Sequence, residues 1–316
     1  MKTSKSPKRV LQLAHLIGQL VLPDYSHRFS PQTYTQSQLF ACLVLKEFLQ
    51  LDYRKLAALL EDAGELAAVI DLTRVPHFTT FQKAAARLLV NRHAQRFLDK
   101  TIRFAQVQKR LPSRVSLAAL DGTGLESRHV SQYYLKRCAA TAKSGGKAAF
   151  RYFPKAGVLC DTKTHLVLAV VPARGPGSDG KHFQRALTEA QARVKIKTLV
   201  ADAGYDGEHR HCFARETLGV RTLIPPLIGR PTQKPPSGYW RRQMKARLHL
   251  TRYSQRWQAE TVNSMLKRLL GSALRARKYW TQCREIFLRI LTLNVMILRR
   301  IRPFYRAPRR HFSTDS

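Results

Sequence analysis

Apolar side chains recur at helical spacing through the first third of the chain, in residues 10–20, 39–49, 56–60 and 81–89. No strand pattern accompanies them, so residues 1–110 read as helical. Pro76 precedes His77, Phe78, Thr79 and Thr80, and Thr79 or Thr80 is expected to cap the helix that follows. Short helices over 53–60 and 80–89 flank this turn. Their spacing fits a helix-turn-helix-like unit and equally a bundle that only packs.

The texture changes near Ser113. Residues 115–120 form a short apolar run of the kind that makes a buried strand, and Gly145-Gly146 marks a loop. Residues 157–160 and 165–171 flank Asp161-Thr162-Lys163-Thr164 as a hairpin. A helix is expected over 183–194 and a strand over 197–200. Asp206 is placed to cap a helix through Leu218, and a strand over 220–224 is stopped by Pro225-Pro226. Residues 229–252 read as a basic connector, and a helix with a broad apolar face spans roughly 281–299. Strand, hairpin, helix, strand, helix, strand and closing helices point to an α/β domain whose sheet is covered by helices. There is no internal repeat and no low-complexity tract.

Charge narrows the partners. The 316 residues carry 56 Lys or Arg against 20 Asp or Glu, a net charge of +36, while 44% hydrophobic residues supply a core. Such an excess repels itself in a compact fold and favours a polyanion, nucleic acid first. A membrane is disfavoured: the longest apolar stretch, 286–298, is interrupted by Arg289 and Asn294, and no clean signal peptide follows the basic N-terminus. Five isolated cysteines, Cys42, Cys138, Cys160, Cys212 and Cys283, support neither a disulfide framework nor a zinc ribbon and fit a reducing cytoplasm. His209, His211 and Cys212 lie close in sequence, but i and i+2 positions diverge on a helix and would not share a metal.

Two carboxylates sit in similar settings. Asp121 directly follows one expected strand and Asp202 comes just after another, each with small residues beyond it: Gly122-Thr123-Gly124 and Ala203-Gly204. A carboxylate at a strand end with little bulk beside it can hold an ion and admit a substrate backbone. An isolated Asp beside Gly is more often only a turn signal. The third acid is Glu260, the sole carboxylate among the 68 residues 217–284, which hold 15 Lys or Arg. It forms an i,i+4 pair with Arg256, worth about 0.3–0.5 kcal/mol, or it binds metal. At about 100° per residue, Tyr253, Arg256, Glu260 and Lys267 fall within roughly 60° of one another. Val262, Met265, Leu266 and Leu269 take the opposite side. Three carboxylates in a basic groove suit two Mg²⁺ ions acting on a phosphodiester, since Mg²⁺ prefers oxygen ligands.

Tyr253-x2-Arg256-x3-Glu260-x6-Lys267 resembles the Tyr-Arg-Glu-Lys signature of DDE transposases from bacterial insertion sequences, in the insertion-sequence four/five superfamily. Asp121-Gly122-Thr123 and Asp202-Ala203-Gly204-Tyr205-Asp206 resemble that family's first and second acidic motifs, and residues 76–81 resemble part of its N-terminal region. The resemblance implies a ribonuclease-H-like mixed sheet flanked by helices, preceded by an all-helical DNA-binding domain. The expected division is 1–110, 111–305 and a basic tail, 306–316. It implies Mg²⁺ or Mn²⁺, two ions, held by Asp121, Asp202 and Glu260 as catalytic and metal-binding residues. Tyr253, Arg256 and Lys267 would hold DNA phosphates; separately, the basic connector with its aromatic Tyr239 and Trp240 reads as a solvated loop or as lying along a DNA backbone, with Arg241 and Arg242 expected as further DNA contacts. Cleavage at transposon ends and transfer of the 3′-hydroxyl into target DNA would follow, by a homodimer on double-stranded DNA in the bacterial cytoplasm and its nucleoid. The connector is too short for the large β-rich insertion of some relatives. Two other readings are an inert DNA-binding derivative and a ribonuclease-H-like nuclease without strand transfer.

Overall fold

The computed structural model describes residues 3–127, 140, 153–227, 235–248 and 252–298. Gly145-Gly146, Cys138, the tail 306–316 and parts of the connector lie outside the described residues.

The N-terminal part is helical as expected: α1 (Pro7–Val21), α2 (Gln36–Phe48), α3 (Tyr53–Asp62), α4 (Gly64–Ala68), α5 (Phe78–Leu88) and α6 (Asn91–Val107). Thr35 starts α2 with a reciprocal capping box, accepting from the Gln38 N–H while the Gln38 side chain accepts from its own. The two helices of the turn unit, α3 and α5, pack on each other through buried Leu56, Leu60, Phe81 and Ala84. The expected threonine cap is absent. α5 begins two residues earlier than the expected start at 80, at Phe78, and Thr79 Oγ1 instead pairs with His77 Nδ1 at 2.9 Å.

Five strands form one mixed sheet: β1 (Ala118–Gly124), β2 (Phe153–Asp161), β3 (Val167–Gly175), β4 (Thr198–Ala201) and β5 (Arg221–Leu223), in spatial order β3-β2-β1-β4-β5. β2 is antiparallel to β1 and β3, while β4 is parallel to β1 and β5. β2 and β3 are the expected hairpin, longer than the apolar run alone indicated. Asp161 holds its turn, accepting from the Thr164 N–H at 2.9 Å and the Thr164 hydroxyl at 2.6 Å. A short parallel bridge, Arg114–Val115 with Lys195–Ile196, lies beside this sheet, so the run expected as one strand is divided.

Helix α7 (Phe183–Arg193) packs on β2 and β3. After β4 come α8 (Glu208–Cys212) and a π-helical turn, Phe213–Thr217. Asp206 does not cap α8. Gly207 precedes that helix, and the Asp206 carboxylate is engaged elsewhere. The connector is not a plain loop, since it contains α9 (Tyr239–Arg247). Then follow α10 (Trp257–Leu270) and α11 (Tyr279–Leu298), which pack on β1, β2 and β3. A five-stranded mixed sheet flanked by helices is consistent with a ribonuclease-H-like fold.

The core runs without a break from the N-terminal helices to the sheet. α11 joins them, touching α2 and α6 as well as β3. Its two polar interruptions have defined partners. Buried Asn294 takes both backbone groups of Val167, accepting from the N–H at 2.8 Å and donating to the carbonyl at 2.9 Å. Buried Arg289 donates to the carbonyls of Gly271 and Ala273 and pairs with Glu285 at 2.7 Å and with Glu47 of α2 at 3.5 Å.

Replacing Asn294 with Leu leaves the Val167 N–H and carbonyl without that partner, at about 1–3 kcal/mol for each buried group. The Asn294→Leu protein is expected to lose about 3 kcal/mol of stability, read from the midpoint and slope of urea unfolding.

Candidate active site

Strand register brings the two aspartates together. β1 and β4 pair in parallel up to Leu120 opposite Ala201, so the next residue on each strand is Asp121 and Asp202. β1 nevertheless continues to Gly124, held by β2, with Asp121 opposite Val158. Asp121 therefore lies within its strand and not after it. It occupies the row where one neighbouring strand stops and the other goes on. Asp202 begins a tight turn, Ala203–Tyr205, and accepts from the Gly204 N–H at 3.0 Å.

Asp121 is half-buried and its carboxyl is raised above the usual range. Burial is the main cause and the charge of Asp202 comes next. A 2.9 Å hydrogen bond from Asn263 Nδ2 opposes both. Two repelling carboxylates, one of them desolvated, fit a hard divalent cation, as does the all-oxygen donor set. The Asn263 Oδ1 atom, buried and without a hydrogen-bond partner, adds an acceptor beside them.

Glu260 lies on α10, which packs on β1. Val262, Met265 and Leu266 are buried as the angular reading required, Leu269 is half-buried, and Glu260 is exposed on the other side. Asn263 lies one turn beyond Glu260 and touches Asp121, so Glu260 projects near the aspartates. It is not yet among them. Its carboxylate pairs with Arg256 at 2.5 Å, and among the described residues no three acid, His or Cys side chains converge as an ion-binding group. Tyr253 and Arg256 lie in the 3₁₀ turn Arg252–Arg256 that leads into α10; both are half-buried, as is Lys267 on α10 itself.

Asn263 escaped the sequence reading, although the signal was present. At 100° per residue it lies about 20° from Arg256 on the same stripe. Arg241 and Arg242 are separated by the structure. The Arg241 guanidinium is committed to Asp206, with contacts of 2.7 and 2.9 Å, whereas Arg242 is exposed. Glu208 accepts from the backbone N–H groups of Trp240 and Arg241 at 2.9 and 3.1 Å, fastening the start of α9 to the segment after Asp202. His211 is buried against the Thr222 hydroxyl at 2.6 Å, and burial lowers its pKa to about 4, in keeping with a packing role.

The family model for the transposase DDE domain matches residues 113–295, more than half of the chain and all three acids. The chain belongs to this family. No curated protein matches it at a significant level. The transposase family implies DNA as a partner and generally works with divalent metal ions. Among the described residues, no helix of this transposase is long and apolar enough to cross a membrane.

The raised Asp121 carboxyl has a consequence for stability. The folded, metal-free protein holds that proton more tightly than the unfolded chain. Stability is therefore lost as pH rises from the ordinary carboxylate range through the range where Asp121 ionises. In EDTA, Asp121→Asn and wild type are expected to melt together at acid pH. Above that window Asp121→Asn is expected to melt higher, as checked by calorimetry across pH.

Proposed function

We propose that this transposase cleaves DNA at transposon ends and transfers the freed 3′-hydroxyl into target DNA, as a member of the Tyr-Arg-Glu-Lys type. The observation that carries the reading is the placement of Asp121 and Asp202 immediately after the last paired row of adjacent parallel strands, beneath the helix that bears Glu260. Asp121, Asp202 and Glu260 would hold the Mg²⁺ or Mn²⁺ ions. Two such ions, when bound, activate the attacking water or 3′-hydroxyl and stabilise the leaving oxygen.

The remaining steps belong to the chain's own groups. Asn263 orients the Asp121 carboxylate through its 2.9 Å hydrogen bond. Arg256 holds Glu260 in a partly exposed i,i+4 pair worth about 0.5 kcal/mol, which a DNA phosphate can replace. Arrival of DNA then releases Glu260 toward the aspartates while Arg256, Tyr253 and Lys267 hold the backbone. Arg242 on the exposed side of α9 adds a phosphate contact, with Arg241 acting as the fastening to Asp206. The helices of residues 1–110 are assigned to recognition of the ends, with residues 111–305 as the catalytic domain. Two ends must be brought together, so the active form is a homodimer on double-stranded DNA.

Glu260→Gln is expected to lower cleavage of end DNA by at least about 100-fold, while gel-shift affinity for the same DNA stays within about threefold of wild type. Wild-type cleavage by that variant would remove Glu260 from the site. With Mg²⁺ and a pre-cut end, joined products are expected on plasmid DNA and none in EDTA. Cutting without joining would mark a nuclease, and binding without cutting of genuine ends would mark an inert derivative.

A further inference from the structure

The segment between β3 and α7 contains the turn Asp179–His182. It lies on the face of the sheet opposite the Asp121 side chain, because successive residues of a strand point to opposite faces. Gly122 and Gly157 oppose each other on β1 and β2. This turn explains both glycines. A Cβ on Gly122 would lie 2.3 Å from Asp179 Oδ1 and 2.8 Å from its Cγ. A Cβ on Gly157 would lie 2.7 Å from the Cβ of buried His182. The Asp179 carboxylate thus rests on the backbone of the residue directly after Asp121. Lys155 fixes it there, with Nζ 2.6 Å from Asp179 Oδ1 and a 3.0 Å hydrogen bond to the Gly177 carbonyl.

The same turn meets the segment after Asp202. A Cβ on Gly180 would lie 2.2 Å from the Arg210 guanidinium, and Arg210 donates to the Asp206 carbonyl at 2.5 Å. The turn also packs on Ala203–Tyr205, the turn that Asp202 begins. Tyr205 there is fully buried, and its phenol is raised by burial first and then by the charges of Asp179, Asp121 and Asp202. One short turn therefore touches the backbone following each aspartate. Lys155 already balances the Asp179 charge, so the carboxylate is suited to holding shape and not to holding an ion.

We propose that Asp179 is a positioning residue: the turn Asp179–His182, held by Lys155, is wedged between the backbone after Asp121 and the backbone after Asp202 and sets the separation of those two carboxylates. The proposal rests on the reading that Asp121 and Asp202 hold divalent ions.

The test is calorimetric titration of the full chain with Mn²⁺ in the absence of DNA, alongside thermal melting and gel-shift binding to end DNA. Asp179→Ala is expected to weaken Mn²⁺ binding by about tenfold or more, with melting temperature and DNA affinity near wild type. Asp179→Asn keeps the volume and loses the charge, so a smaller loss is expected, and it serves if Asp179→Ala does not fold. Gly122→Ala is expected to weaken Mn²⁺ binding too, and adding Asp179→Ala to it is expected to restore part of the loss, because the added methyl collides with that carboxylate. Wild-type Mn²⁺ affinity in both Asp179 variants, or a loss that only follows the melting temperature, overturns the proposal. Mn²⁺ binding by wild type that is unchanged in Asp202→Asn overturns the reading of the pocket itself, whatever Asp179 does.

Discussion

The site depends on two strand pairings of unequal length. β1 keeps its antiparallel partner to Gly124 but loses its parallel one after Leu120. Where the parallel ladder stops, the next side chains of both strands stand next to each other, and here both are aspartates. Their mutual repulsion, with partial burial of Asp121, makes the spot unfavourable for protein alone and favourable for a cation. The surrounding structure is arranged about that row. Asn263 approaches it from the helical layer on one face, and the Asp179 turn presses on the backbone from the other.

The helix bearing Glu260 is anchored by charges drawn from distant parts of the chain. Its C-terminal end leads into residues 271–276, where Arg289 takes two carbonyls and Glu285 accepts from the backbone N–H groups of Arg275 and Ala276 at about 3 Å. Glu47 of α2 completes the network, and Gln50 donates to the Leu269 carbonyl at 3.2 Å. Buried charges of this kind add little net stability, yet losing one partner strands the others, which holds them to one geometry.

Much of this was legible in the sequence, for physical reasons that differ by residue. Periodicity exposed α1, α3 and α5 because each buries one face, and the alternative faces of α10 were readable from 100° steps, whereas α2 is buried nearly all round. Glu260 stood out because acids are otherwise missing from its basic surroundings. Asp121 and Asp202 were found as members of a pair, but their exact relation depends on register, a property of two distant segments. For the same reason Asp121 was placed after its strand: the apolar run ends at Leu120, while β2 keeps the strand going through polar positions. Asp206 looked like a cap because caps are local, and Arg241, 35 residues on in sequence, claimed its carboxylate instead. The same distance effect hid the ion pair that ties Arg241 to Asp206. Neither Asn263 nor Asp179 carries a local mark of its role, since each acts on a residue far away in the chain.

Helix α11 lies last among the described elements and yet is packed against the first ones, between α2, α6 and β3. The N-terminal helices and the sheet consequently do not behave as interchangeable cassettes. A chimera joined near residue 110 would set one parent's α2 and α6 against the other parent's α11, with Glu47 and Arg289 drawn from different proteins. Such a crossover is constrained to parents whose α2, α6 and α11 match, so these helices, far apart in the chain, are exchanged only together.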